Sequence, residues 1–328
     1  MDRIPVIIDT DPGHDDVFAI MTALASDRID IKAITTVCGN STVENTTRNA
    51  LNVLNYFGRG DIPVAMGCSR PMMHELDRSG GIKVHGESGL DGPVFPEHNL
   101  KPVDMKAVDL IAKVLRESSE KVVIAPLGPL CNIALLMLTY PELKEKIAYI
   151  TLMGGNTYNG NVTPAAEYNI YVDPESAYVV FESGVPIVMH SINSTFAAAV
   201  TFDRLEAWKH IDTRGGRLAS DLIDFYVIAS RKRGFDRINI CDANAVAYIV
   251  DPSLYETFDT DVTVDLTGEF TRGQTVVEFR SRANGGGDLD EYYVSKLHRH
   301  FRRNCSVVVR SDADGFYKLL TESLRKLA

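Results

Sequence analysis

Residues Ile7 to Asp16 read IIDTDPGHDD. An apolar run suited to a core ends at Asp9, and the pair Pro12-Gly13 turns the chain. The residues that follow, DDVFAIMTALAS from Asp15, place apolar side chains at helical spacing. Strand, turn and helix in that order make the first half of a βαβ unit. The same stretch holds Asp9, Asp11, Asp15 and Asp16. Like charges this close repel and raise one another's pKa unless a cation compensates them.

The unit recurs along the chain. PVIID, IKAITTV, KVVIAPL, AYITLMG and VPIVMH are short, apolar and rich in β-branched residues, the pattern of buried strands. Between them TVENTTRNALNVLNYF, DMKAVDLIAKVLRES and DPESAYVVFESG are amphipathic, and they open on Thr, Asp or Asp-Pro as helix N-termini do. The expected architecture is α/β: an open, mainly parallel sheet with a Rossmann-like core flanked by helices, in one domain over residues 1–328. Loops are expected around 70–98, 155–166 and 282–290, the last containing NGGGD.

Composition narrows the function classes. With 45% apolar and 24% charged residues the chain has the makeup of a globular protein with a substantial core. Its formal charge of −10 argues against nucleic-acid or anionic-membrane partners and favours a small substrate that is neutral or meets a bound cation. Cys38, Cys68, Cys131, Cys241 and Cys305 are odd in number and form no CxxC pair, so reduced thiols in a cytoplasmic protein are expected. The N-terminal apolar run is too short for a signal peptide, and no stretch has the roughly 18 apolar residues of a membrane span.

In open parallel sheets ligands collect outside the carboxyl ends of the strands. Asp9 and Asp11 follow the first expected strand, Asn40 in TTVCGN follows the second, Leu127 in APLGPL another, and LMGGNTYNGNVTPAAEYN the next. These tails are expected to converge on one crevice. Turn and helix-cap roles account for one or two of the aspartates. A hard divalent ion accounts for all four, although the spacing is not that of an EF-hand and does not choose between calcium and magnesium. An aspartate-based phosphatase with an Asp-x-Asp-x-Thr strand end is a rival reading, but Gly13 stands where its Thr belongs.

Taken together, DTDPGHDD, ITTVCGN, TTRNAL, VHGESGLDG, APLGPLCNIAL, LMGG, AEYNIYVDPESA and DANAVAYIVDP resemble, in the same order, the motifs of the nucleoside hydrolases, the inosine-uridine-preferring N-ribohydrolases. The match runs from about residue 5 to 252, and TGEFTRGQTVVEFR extends it. The resemblance implies the fold of that family, a tightly bound Ca2+, and hydrolysis of ribonucleosides to free base and ribose in base salvage. It also implies a homodimer or homotetramer. Asp11 and Asp16 would bind the metal with the Leu127 carbonyl and the Asp242 carboxylate. Asp15, Asn40, Asn161, Glu167 and Asn169 would hold the ribose, with Asp242 beside them. Asp9 would support the cluster, His85 would lie near sugar or base, and Met153 would pack under the sugar.

The chemistry agrees. Glycosidic cleavage passes through an oxocarbenium-like sugar, which carboxylates and amide oxygens stabilise. Asp11 would take the proton of a metal-bound water as general base. One position departs from the pattern. Many members of the family place His just before the late aspartate, to help the leaving base; here NICDANAVAY puts Cys241 there, as one subgroup does. Cys241 has two readings, a buried packing thiol or a weak proton donor. Leaving-group help is otherwise expected from DFYVIASRKRGFDR, an amphipathic helix covering the site, with Tyr226, Arg231 and Arg233 as candidates. The second function class is a catalytically silent calcium- and sugar-binding module. His14, His98 and His190 receive no role.

Overall fold

The computed structural model describes residues 3–280, 289–297 and 299–328. Strand β1 (Ile4–Thr10) alternates its side chains between two apolar layers, Val6 and Ile8 into one and Ile7 into the other. A strand buried on both faces belongs inside a sheet, and β1 lies between β2 (Ile29–Thr36) and β4 (Val122–Pro126), parallel to both. The eight-stranded sheet has the order β3-β2-β1-β4-β5-β6-β12-β9, adding β3 (Val64–Met66), β5 (Ile147–Met153), β6 (Ile187–His190), β9 (Tyr255–Thr260) and β12 (Cys305–Ser311). Every pairing is parallel except that of β9 with β12. Two short antiparallel pairs lie apart: β7 (Val200–Thr201) with β8 (Arg237–Ile238), and β10 (Val262–Val264) with β11 (Thr275–Val277).

Helices cover both faces. On the Val6–Ile8 side pack α1 (His14–Ala25), α2 (Val43–Tyr56), α9 (Phe202–Trp208), α10 (Arg214–Lys232), α11 (Ala243–Val250) and α13 (Ala313–Lys326). On the Ile7 side pack α4 (Ala107–Glu117), α5 (Cys131–Thr139), α6 (Tyr168–Val172) and α7 (Pro174–Phe181). The remaining helices are α3 (Ser79–His85), α8 (Ile192–Ala197) and α12 (Asp290–Leu297). Among the described residues no helix is long and apolar enough to cross a membrane.

The five expected strands and the helices between them form as read. Their caps match the local sequence: Thr42 accepts from the Asn45 amide at the start of α2, and Asp173 accepts from the Ser176 amide ahead of Pro174 in α7. The loop expected at 70–98 contains α3, whose sequence SGGIKVH lacks an apolar repeat. Tertiary contact holds that turn, because only a glycine at 81 lets it lie against the Asn40 backbone. The 155–166 segment carries no regular element. Most of the loop expected at 282–290 lies outside the described residues, and residue 290 opens α12. The helix read in DFYVIASRKRGFDR begins earlier, at Arg214, where Thr213 caps Gly216. It stops before Gly234, whose φ of 82° is left-handed and ends the helix.

Candidate active site

The carboxyl ends of β1, β2, β4 and β5 deliver their polar tails to one place. Asp9 is the last but one residue of β1 and pairs in register with Thr35 of β2 and Pro126 of β4. Its buried Oδ1 accepts from Thr35 Oγ1 at 2.5 Å and Asn132 Nδ2 at 2.8 Å. Burial pushes its pKa up to about 7, and these two hydrogen bonds only partly oppose the rise.

Asp11, Asp15 and Asp16 lie just beyond β1 and on the first turn of α1, all buried. Asp16, at the third helical position, accepts from the Gly13 amide at 2.9 Å and from the Thr10 hydroxyl. The Asn40 amide donates to Asp11 Oδ2 at 2.7 Å, and Asn40 Nδ2 reaches the Asp11 carbonyl at 3.2 Å and Asp16 Oδ2 at 3.3 Å. Asp242, just before α11, comes from far along the chain. One carboxylate oxygen from each of Asp15, Asp16 and Asp242 lies within 4.8 Å of the others.

The electrostatics mark this group as incomplete. Burial holds the carboxyls of Asp11, Asp15, Asp16 and Asp242 above the ordinary range, reinforced at Asp11 and Asp15 by the Asp16 charge and at Asp242 by Asp15. Asp15 reaches about 7. Asp11 Oδ1 and Asp15 Oδ1 are buried without a hydrogen-bond partner. Unpaired buried acceptors on adjacent carboxylates are costly, and a divalent cation relieves both the missing partners and the repulsion. The residues present therefore fit a hard cation. Closeness also depends on glycine: a Cβ at Gly39 or Gly128 would collide with the Asp11 carboxylate.

On the β4–β5 side, Asn169 Nδ2 donates to the Leu127 carbonyl at 2.7 Å and to the Met153 carbonyl at 3.0 Å. Glu167 caps α6, its Oε1 accepting from the Asn169 amide at 3.0 Å and its Oε2 from the Gly155 amide at 2.9 Å. Burial raises the Glu167 pKa to about 7 against these hydrogen bonds. The His85 ring faces Asp15, with Nε2 3.9 Å from Oδ1.

Thus Asp11, Asp15, Asp16, Asn40 and Asp242 form one group with His85 beside it, Asp9 is bonded instead to Thr35 and Asn132, and Leu127, Met153, Glu167 and Asn169 form a second group, linked by hydrogen bonds. Asn161 stands exposed in the 155–166 segment, its Oδ1 accepting from the Tyr168 amide at 2.9 Å. Cys241 is half-buried, with Sγ 3.7 Å from the Asn239 carbonyl, and burial next to the Asp15 charge keeps its thiol protonated well above the usual range. Tyr226 donates to that same carbonyl at 3.2 Å and puts its ring 5.8 Å from His85. Arg231 and Arg233 are exposed and lie over Phe202 and Phe235, although the Arg233 charge is felt at His85 and Tyr226.

Three supports were not legible as site residues. Asn132 bridges Asp9 to the Cys68 amide. Tyr168 donates from its hydroxyl to the Gly39 carbonyl at 2.7 Å. His14 contacts His85 directly. The glycines after strands, Gly39 in CGN and Gly128 in PLG, were the available signal for close backbone approach.

Comparison with known proteins identifies the family. Residues 6–318 match the family model described as inosine-uridine preferring nucleoside hydrolase. The chain is 42% identical over 324 residues to the pyrimidine-specific ribonucleoside hydrolase RihA of Escherichia coli O17:K52:H18, covering 98% of both chains. Among solved structures, a plant nucleoside hydrolase superposes with a TM-score of 0.87 at 33% identity, covering 99% of both chains. The purine-preferring ribonucleoside hydrolase of Gardnerella vaginalis superposes with a TM-score of 0.87 at 29% identity, covering 98% of both. With its sheet, its buried carboxylates and these relatives in agreement, the chain belongs to the inosine-uridine preferring nucleoside hydrolase family and is an N-ribosyl hydrolase.

Proposed function

We propose that this protein hydrolyses the N-glycosidic bond of ribonucleosides in a Ca2+-dependent reaction, with pyrimidine ribonucleosides as the preferred substrates. The observation that carries the reading is the buried trio of Asp15, Asp16 and Asp242 oxygens within 4.8 Å, with the unpartnered Oδ1 of Asp11 belonging to the same charge cluster. Asp11, Asp16, Asp242 and the Leu127 carbonyl would hold the ion, an all-oxygen donor set of the kind Ca2+ takes. When bound, the ion supplies a fixed positive charge that orients the ribose diol and makes the attacking water more acidic.

The protein's own groups do the rest. Asp11 takes a proton from the attacking water as general base. Asp15 and Asn40, on one side of the crevice, and Glu167, Asn169 and Asn161, on the other, bind the ribose hydroxyls and fix the sugar for attack. Their oxygens favour the positive charge that spreads over the ring as the bond to the base lengthens. Met153 packs under the sugar. The pyrimidine preference follows the 42% identity to the relative named pyrimidine-specific, against 29% to the one named purine-preferring.

Ribose release from uridine, cytidine, inosine, adenosine and guanosine, measured with and without calcium chelation, tests the reading. The expected result is release that chelation abolishes and added calcium restores, fastest with uridine or cytidine. Release insensitive to chelation would overturn the metal assignment, and purine nucleosides ahead of both pyrimidines would overturn the preference.

A further inference from the structure

The 155–166 segment that carries Asn161 closes on itself from Gly160 onward. There the Gly160 amide donates to the Pro164 carbonyl and the Asn161 amide to the Ala166 carbonyl, both at 3.1 Å. Ahead of that closure, one side chain holds three consecutive residues. Oδ1 of Asn193 accepts from the Thr157 amide at 2.7 Å, the Thr157 hydroxyl at 3.1 Å and the Tyr158 amide at 3.2 Å. Its Nδ2 donates to the Asn159 carbonyl at 3.0 Å. A backbone amide only donates and a carbonyl only accepts, so both ends of the Asn193 amide are assigned. Residues 157–159 lie in no strand or helix, and Asn193 supplies the backbone pairing that such an element would provide.

Asn193 is itself held. It is the second residue of α8, whose Ile192 amide donates to the Gly155 carbonyl at 2.9 Å and whose Ser194 carbonyl accepts from Ser311 Oγ of β12 at 3.0 Å. The buried Thr195 hydroxyl of the same helix accepts from Asn239 Nδ2 at 3.1 Å, three residues before Asp242. On the far side of the gripped turn, the Tyr168 amide donates to Asn161 Oδ1, so Nδ2 is the end of Asn161 left to donate to a sugar oxygen. Tyr168 directly follows Glu167, which sets Asn161 beside the Glu167–Asn169 wall.

From this geometry we infer that Asn193 is a positioning residue for the sugar: it fixes the 157–159 turn and, through it, the reach of Asn161 into the crevice. The inference rests on the ribonucleoside reading above, in which Asn161 binds the ribose. Between the grip of Asn193 on Asn159 and Asn161 itself stands only Gly160, where a Cβ would lie 2.1 Å from the Ala166 carbonyl. Without a side chain that residue has the freedom to rotate, so a turn released by Asn193 carries Asn161 with it. None of the four hydrogen bonds of Asn193 goes to the carboxylate cluster, so its loss leaves calcium binding in place.

The test reads kcat/KM on uridine, calcium affinity of the chelator-stripped protein, and chymotrypsin cleavage after Tyr158, whose 67% exposure leaves the order of the turn as its protection. Asn193→Leu keeps the size and loses all four hydrogen bonds. Its kcat/KM is expected to fall about 10- to 100-fold, the scale of a sugar contact misplaced by about 1 Å, while calcium affinity stays within about threefold. Cleavage after Tyr158 becomes faster, as local opening of the turn requires. Added to Asn161→Ala, Asn193→Leu produces no further loss in kcat/KM, as two residues acting through one contact require. Asn193→Asp keeps the acceptor and loses only the donor, so it recovers at least about threefold over the leucine variant. The same cycle with Asn161→Ala, run with Asn193→Asp, carries the test where Asn193→Leu does not fold. Unchanged kcat/KM, losses that multiply in the double variant, or a matching loss of calcium affinity would overturn the inference and leave the hydrolase reading standing. A wild-type protein that releases no ribose from any ribonucleoside would instead overturn the reading and the inference together.

Discussion

Asn169 donates from Nδ2 to the Leu127 carbonyl oxygen across 2.7 Å. That carbonyl is one of the proposed metal donors, and its orientation depends on a side chain from α6. Replacing Asn169 with Leu removes the tether while preserving size. Calcium affinity, measured by isothermal titration on the chelator-stripped protein, is expected to fall about 10- to 100-fold, the usual effect of losing an outer support of a metal ligand.

Asp11 is held above the ordinary carboxylate range by burial and by Asp16, so its charge opposes folding of the metal-free protein. Asp11→Asn is therefore expected to raise the Tm measured in chelator by a few degrees. The same change removes the general base and a metal donor, and kcat on uridine is expected to drop by about 1000-fold or more. A variant that is both less stable in chelator and fully active would contradict the assignment.

Asp9, Asp15 and Glu167 have folded pKa values near 7, raised by burial from ordinary values near 4. Between those limits the folded state binds more protons than the unfolded chain, so stability falls as pH rises through the window. In chelator, Tm is expected to decrease steadily from pH 5 to pH 8. Saturating calcium, which favours the ionised carboxylates, flattens or reverses that slope. Thermal scans across pH with and without calcium compare the two.

Gly128 lies so close to Asp11 that an added Cβ would collide with the carboxylate, and its backbone is not left-handed. Gly128→Ala should displace Asp11 without straining the chain. The expected outcome is a loss of about 100-fold in kcat/KM with weaker calcium binding and a Tm within a few degrees of wild type. Unfolding at room temperature would show that the close approach matters for the fold itself.

Cys241 and Tyr226 point their donors at one acceptor, the Asn239 carbonyl. A thiol kept protonated by burial and turned to a carbonyl is poorly placed to serve the base. Cys241→Ala is expected to change kcat on uridine by less than about threefold. A loss of 100-fold, on the scale of general acid catalysis, would make the thiol the donor.

The local sequence by itself determined the βαβ order, the two-sided burial of β1 and the placing of four aspartates at one strand end. Alternation, helical spacing and capping residues act over a few neighbours, so they can be read along the chain. The late aspartate and the segments around Asn40, Leu127 and Glu167 were also legible, through resemblance and the rule that ligands gather at carboxyl strand ends. Tertiary structure decided what no local pattern carries. Contact with the Asn40 backbone made a helix of SGGIKVH, and β9 runs antiparallel to β12 at the edge of an otherwise parallel sheet. It brought Asp242 within reach of Asp15 and Asp16, set Asn132 under Asp9, and placed His14 against His85 across a turn that only glycine permits. These contacts join segments distant in sequence, and their energies come from burial and exclusion of water, which exist only once the sheet has assembled.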